Sequence, residues 1–139
     1  MVVYAYMEEH TKLKILVLED ERQLAKAVRE AFTERGFETI IVPTVAEGIK
    51  QLENLKLVDV IWLDHYLLGT ENGLDFVIQL KNHPEWKNIP IFVVSNTAST
   101  SNIRSYIQLG VTNYYTKADY DINQIIDDIK YALREHPSA

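Results

Sequence analysis

Five polar residues stand where apolar runs stop. Glu19 and Asp20 follow Leu13-Lys-Ile-Leu-Val-Leu, Asp64 follows Val58-Asp-Val-Ile-Trp-Leu, Ser95 follows Ile89-Pro-Ile-Phe-Val-Val, and Lys117 follows Thr112-Asn-Tyr-Tyr-Thr. Short β-branched runs bounded by turn formers read as buried strands. In open α/β sheets, ligands and chemistry collect at the carboxyl ends of the strands. Carboxylates about 4 Å apart repel by roughly 4 kcal/mol per pair at an effective dielectric of about 20, so this cluster calls for a cation. Hard oxygen donors with open water positions suit Mg²⁺. Beside such an ion, Asp64 would act as a nucleophile toward a phosphoryl group. Lys117 would supply a fixed positive charge and Ser95 a hydroxyl for a phosphoryl oxygen, because phosphoryl transfer rests on positioning and charge neutralisation.

The intervening segments must bring these groups to one edge. After the first strand, Leu24, Ala27, Val28, Ala31 and Phe32 form one helical stripe, closed by Gly36. A second strand spans 37–42. Thr44 and Glu47 then have capping-box spacing before a helix with Val45, Ile49 and Leu52. A third helix starts near Gly73 with Leu74, Val77, Ile78 and Leu80, and His83-Pro84 stops it. The fourth helix, around 101–109, has only Ile103, Tyr106, Ile107 and Leu109 to bury, and Gly110 closes it. The last places Ile122, Ile125, Ile126, Ile129 and Leu133 on one face. Strict β–α alternation predicts a doubly wound α/β sandwich, with a parallel five-stranded sheet and right-handed crossovers. The expected organisation is an extension at 1–12, one domain at 13–135 and a tail at 136–139.

The 139 residues fit a single core. The formal charge of −6 and the lack of a basic stripe argue against direct nucleic-acid binding. No apolar run reaches the roughly 20 residues of a membrane span. The opening segment lacks a basic leader, and the absence of cysteine removes disulfide and thiolate-metal chemistry, so the expected compartment is the cytoplasm.

Taken in order, Ile15-Leu-Val-Leu-Glu-Asp-Glu21, Ile61-Trp-Leu-Asp64 with Gly73 beyond it, Val93-Val-Ser95 and Gly110-Val-Thr-Asn-Tyr-Tyr-Thr-Lys117 resemble the receiver domain of response regulators. The resemblance covers about residues 13–135. It implies the flavodoxin-like (βα)₅ fold with strand order 2-1-3-4-5 and a stand-alone switch, not a metabolic enzyme. It also implies that Asp64 receives a phosphoryl group from a histidine kinase or phosphotransfer protein. Asp20, Asp64 and the backbone carbonyl of Tyr66 would hold Mg²⁺, with Glu19 acting mainly through water. Ser95 and Tyr114 would be the switch pair, and the fourth helix, fifth strand and fifth helix the output surface. The protein would be a monomer or a phosphorylation-dependent dimer with an unnamed downstream target. Ala118 and Leu68 stand where the family usually has proline, so a trans fifth loop is expected.

Other readings compete. A receiver-like scaffold working without phosphorylation is the alternative, with Ala118 as its support. An aspartate-nucleophile phosphatase would want a second acid where Tyr66 stands, and a flavodoxin-like cofactor site would not place Glu19-Asp20-Glu21 against a phosphate. Glu21 reads as a helix-dipole residue. His65 is turned from Asp64 by strand alternation and reads as structural or surface; Trp62 and Tyr66 read as packing, with Tyr66 also gating water. His10, His83 and His136 carry no metal spacing.

Overall fold

Ile15, Leu16, Val17 and Leu18 are all fully buried, although a strand sends successive side chains to opposite faces. Both faces of this strand are therefore covered. The computed structural model describes residues 12–55, 57–96 and 99–135. Strands β1 (Lys14–Leu18), β2 (Glu38–Val42), β3 (Val60–Leu63), β4 (Ile91–Ser95) and β5 (Asn113–Thr116) alternate with α1 (Arg22–Glu34), α2 (Val45–Asn54), α3 (Gly73–Lys81), α4 (Thr100–Gln108) and α5 (Ile122–Glu135). The sheet order is β2-β1-β3-β4-β5, and every pairing is parallel. This is the expected flavodoxin-like fold. Residues 1–11 of the expected extension at 1–12, the tail at 136–139, His10 and His136 lie outside the described residues.

Two apolar clusters flank the sheet. Leu16, Leu18, Ile61, Leu63 and Val93 face α2, α3 and α4 through Val45, Leu52, Phe76, Val77, Leu80 and Tyr106. Ile15, Val17, Val60, Trp62 and Phe92 face α1 and α5 through Val28, Phe32, Ile125, Ile126 and Ile129. Phe32 anchors the second cluster, its ring edge-on to Trp62 at 5.8 Å and to Phe37 at 5.0 Å. Full burial of side chains this size contributes about 1.5–3 kcal/mol each.

Local signals depart from expectation in four places. Ile78 and Ile107, expected in the core, are 45% and 54% exposed. The buried stripe of α3 is Gly73, Phe76, Val77 and Leu80, an i, i+3, i+4, i+7 set that turns Ile78 outward. At α2, Thr44 Oγ1 accepts from Glu47 N–H at 3.1 Å, but the return arm is a hydroxyl-to-carboxylate contact, Thr44 Oγ1 to Glu47 Oε2 at 3.2 Å. The full capping box sits on α3, where Asn72 N–H donates to Asp75 Oδ2 at 2.9 Å and Asp75 N–H to Asn72 Oδ1 at 3.1 Å. Tyr66, read partly as packing, is 58% exposed.

Candidate functional site

Ladder bonds that run past the strand ends seat each polar group. Glu19 N–H donates to Val42 O at 3.0 Å, Asp64 N–H to Leu18 O at 3.0 Å, and Lys117 N–H to Ser95 O at 2.9 Å. Because all five strands are parallel, these residues emerge at one edge. Ser95 closes β4 fully buried, and Asp64 is 5% exposed at the end of β3.

Lys117 is the hub. Its Nζ lies 2.9 Å from Glu19 Oε1 and 3.2 Å from Asp64 Oδ2. Burial alone would lower its pKa, but the hydrogen bond to Glu19 and the charges of Asp64 and Glu19 more than reverse that, so the ammonium is held charged. Burial pushes the Glu19 carboxyl up; the bond to Lys117 pulls it back, and the Asp64 charge pushes it up again. Glu19 Oε2 accepts from Glu21 N–H at 3.2 Å, which satisfies an orphan donor at the start of α1 where no side chain caps.

Carboxylate oxygens of Glu19, Asp20 and Asp64 come within 4.8 Å of one another. Three carboxyl groups share one ammonium, so negative charge stays in excess even with the Glu19 carboxyl pushed up to about 7 by burial. An all-oxygen donor set with that charge fits a hard divalent cation. Asp20 is the more open of the three, and Tyr66 follows Asp64 in the same loop with its ring edge-on to His65 at 4.7 Å.

On the β5 side, the Tyr114 hydroxyl shares a hydrogen bond with the Ser95 side chain. Burial pushes the Tyr114 phenol up, and that bond draws it partway back. The expected switch pair is thus in contact. No peptide bond among the described residues is cis, as expected with Ala118 after Lys117, and Asp119 N–H donates to Thr116 O at 3.0 Å to close the turn.

Two close contacts go beyond the sequence reading, in which His65 is structural or surface and Gly73 opens the third helix. His65 is buried at 5% exposure, and its Nδ1 lies 2.6 Å from the Tyr106 hydroxyl on α4. Gly73 is packed so closely that a Cβ there would meet Tyr106 Oη at 2.3 Å and Asp64 O at 2.9 Å. The Asn72-x-x-Asp75 spacing was the available signal for the head of α3. Nothing in the sequence marks the contact of Tyr106 with His65, because helical spacing reports a face and not a depth.

Comparison with known proteins agrees with this geometry. A probable transcriptional regulatory protein from Picosynechococcus sp. is 28% identical over 133 residues, covering 91% of this chain and 51% of the relative. The chain spans about half the length of the transcriptional regulators it matches. Chemotaxis protein CheY1 of Helicobacter pylori is 22% identical over 107 residues, covering 76% of this chain and 85% of the relative. A phosphorylated cyanobacterial phytochrome response regulator, RcpA, shares the fold with a TM-score of 0.77 at 23% identity, covering 93% of this chain and 98% of that one. The response regulator receiver domain family matches residues 15–130. The chain therefore belongs to the response regulator receiver domain family of two-component signalling.

Proposed function

We propose that the chain accepts a phosphoryl group on Asp64 from the phosphohistidine of a kinase or phosphotransfer protein, and that the acceptance alters partner binding. The observation that carries this reading is Lys117 Nζ held between Asp64 and Glu19 beside Asp20, at the carboxyl edge of a receiver-family sheet. Asp64 Oδ attacks phosphorus, the P–N bond of the phosphohistidine breaks, and the electron pair leaves with the imidazole nitrogen. The Lys117 ammonium offsets the charge gathered on the equatorial oxygens without reorganising, because its two carboxylate partners already fix it. Ser95 offers its hydroxyl to one phosphoryl oxygen, and Tyr114 follows it through their shared hydrogen bond. Asp20, Asp64 and the Tyr66 carbonyl would hold Mg²⁺, with Glu19 contributing through water. When bound, that ion would screen the carboxylates and polarise the phosphoryl group.

The signal would leave through α4, β5 and α5, where Ile107 and Tyr131 are 54% and 61% exposed apolar side chains. Receiver domains are signalling modules, and we assign no metabolic reaction to this chain. A beryllofluoride titration followed by fluorine NMR tests the acceptor. We expect one bound resonance with Mg²⁺ and none with EDTA or with Asp64→Ala. A bound resonance in Asp64→Ala would remove Asp64 from the role, and none in any protein would favour a scaffold that works without phosphorylation.

A further inference from the structure

His65 is held at both ring nitrogens by α4. Its Nδ1 is 2.6 Å from Tyr106 Oη, and Asn102 Nδ2, one turn earlier on the same helix, is 3.4 Å from Nε2. Either tautomer of the ring keeps both contacts, with one nitrogen donating and the other accepting. The two rings meet edge-on at 5.6 Å. Tyr106 is fully buried, and its hydroxyl reaches under the backbone of the phosphoacceptor loop into space that only a glycine at position 73 leaves open. Gly73 N–H in turn donates to His65 O at 2.9 Å, while the sheet holds Asp64 through Leu18 O at 3.0 Å. The Asp64-to-Gly73 loop is thus fixed at its first residue by β1, at its end by His65, and at His65 by α4.

We propose that Tyr106 is a positioning residue for Asp64, and that its bond to His65 is the latch through which α4 and the phosphoacceptor loop sense each other. This rests on the phosphoryl-acceptor reading above and names the residues that carry its signal to the output helix. A buried histidine that merely satisfies a buried tyrosine would contribute stability and nothing else. A latch does more: it fixes the carboxylate for attack, and it makes α4 respond when Asp64 is modified.

The test compares the whole chain with Tyr106→Phe, His65→Leu and His65→Asn. Asparagine places a side-chain amide near the position of Nδ1 and serves as the rescue. The readouts are single-turnover phosphorylation by acetyl phosphate across donor concentrations, and amide exchange of 65–73 and 102–108 with and without beryllofluoride. We expect Tyr106→Phe and His65→Leu to lower the maximal rate about tenfold with the half-saturating donor concentration unchanged. Both should abolish the beryllofluoride-dependent change in α4, and His65→Asn should restore it. If one breaking variant does not fold, the other decides. A native rate and a native α4 response in the breaking variants would overturn the latch, as would loss of both that His65→Asn does not restore. If the unmutated protein takes neither phosphoryl group nor beryllofluoride, the acceptor reading falls. The latch is then decided by exchange in the free proteins, where joint loss of protection in both segments supports it and unchanged protection overturns it.

Discussion

Lys117 Nζ lies 3.2 Å from Asp64 Oδ2, although 53 residues of chain separate them. The contact joins the ends of β3 and β5, which are not neighbours in the sheet, by reaching across β4. It makes the lysine both the counter-charge of the buried acids and the charge nearest the expected phosphoryl position.

Replacing Lys117 by methionine removes that charge while keeping much of the side chain's volume. Glu19, whose side chain is fully buried, then loses its ion-pair partner. Stripping one partner from a buried pair costs about 3 kcal/mol. We predict a fall of that order in urea-unfolding free energy without divalent ions, and a phosphorylation rate reduced at least about a hundredfold. Native stability in Lys117→Met would show that the pair contributes nothing to the fold.

Asp20 should behave in the opposite sense. Asp20→Asn removes one of three crowded carboxylates, so it should stabilise the protein in EDTA by about 1 kcal/mol. With Mg²⁺ at about a hundred times its dissociation constant, the native protein should gain roughly 2.7 kcal/mol. The variant should gain little. Thermal unfolding of both proteins with EDTA and with Mg²⁺ measures the two effects, and equal Mg²⁺ stabilisation would exclude Asp20 as a ligand.

Gly73→Ala should be severe, because its Cβ would lie 2.9 Å from the backbone oxygen of Asp64 as well as 2.3 Å from Tyr106 Oη. Overpacking of this kind costs about 1–3 kcal/mol. Adding Tyr106→Phe removes the closer clash and leaves the backbone one. A double-mutant cycle in urea should therefore show partial, non-additive relief. Strict additivity would contradict the contact.

Three tyrosines set the response to alkali. Burial raises the pKa values of Tyr106, Tyr114 and Tyr115, and for Tyr115 the hydrogen bond its hydroxyl donates to Asp128 at 2.7 Å adds to the rise. An acid whose folded pKa exceeds its unfolded value favours the fold fully below the unfolded pKa, and loses that contribution as pH climbs through the folded value. Stability should therefore fall above about pH 10. Phenolate absorbance from Tyr106 and Tyr115 should appear together with loss of near-ultraviolet dichroism, and Phe at either position should shrink that late step. Complete phenolate formation in a protein with native dichroism would contradict their burial.

The parts of the molecule legible from sequence are those governed by local pattern. Runs such as Ile15 to Leu18 declare strands covered on both faces, and the polar residues that end four of the five runs mark the candidate edge. Glu19, Asp20, Asp64, Ser95 and Lys117 stand out as candidates that way. Depth was not legible. Ile107 and Tyr106 are adjacent apolar residues of one short helix, yet one is 54% exposed and the other fully buried against His65. Choosing between them requires knowing that Gly73 leaves a space on α3, a fact of tertiary packing. Thr44 and Glu47 carry the capping-box spacing, yet the full reciprocal pair of backbone bonds closes at Asn72 and Asp75, because spacing alone does not fix which backbone geometry the cap adopts.

The most direct test of the account is intact-mass spectrometry of the native chain and Asp64→Ala after incubation with acetyl phosphate. Each is run with Mg²⁺ and with EDTA. The account predicts one added phosphoryl group on the native chain in Mg²⁺, and none in EDTA or on the variant. An adduct that persists in Asp64→Ala, or a native chain that stays unmodified in Mg²⁺, would contradict it.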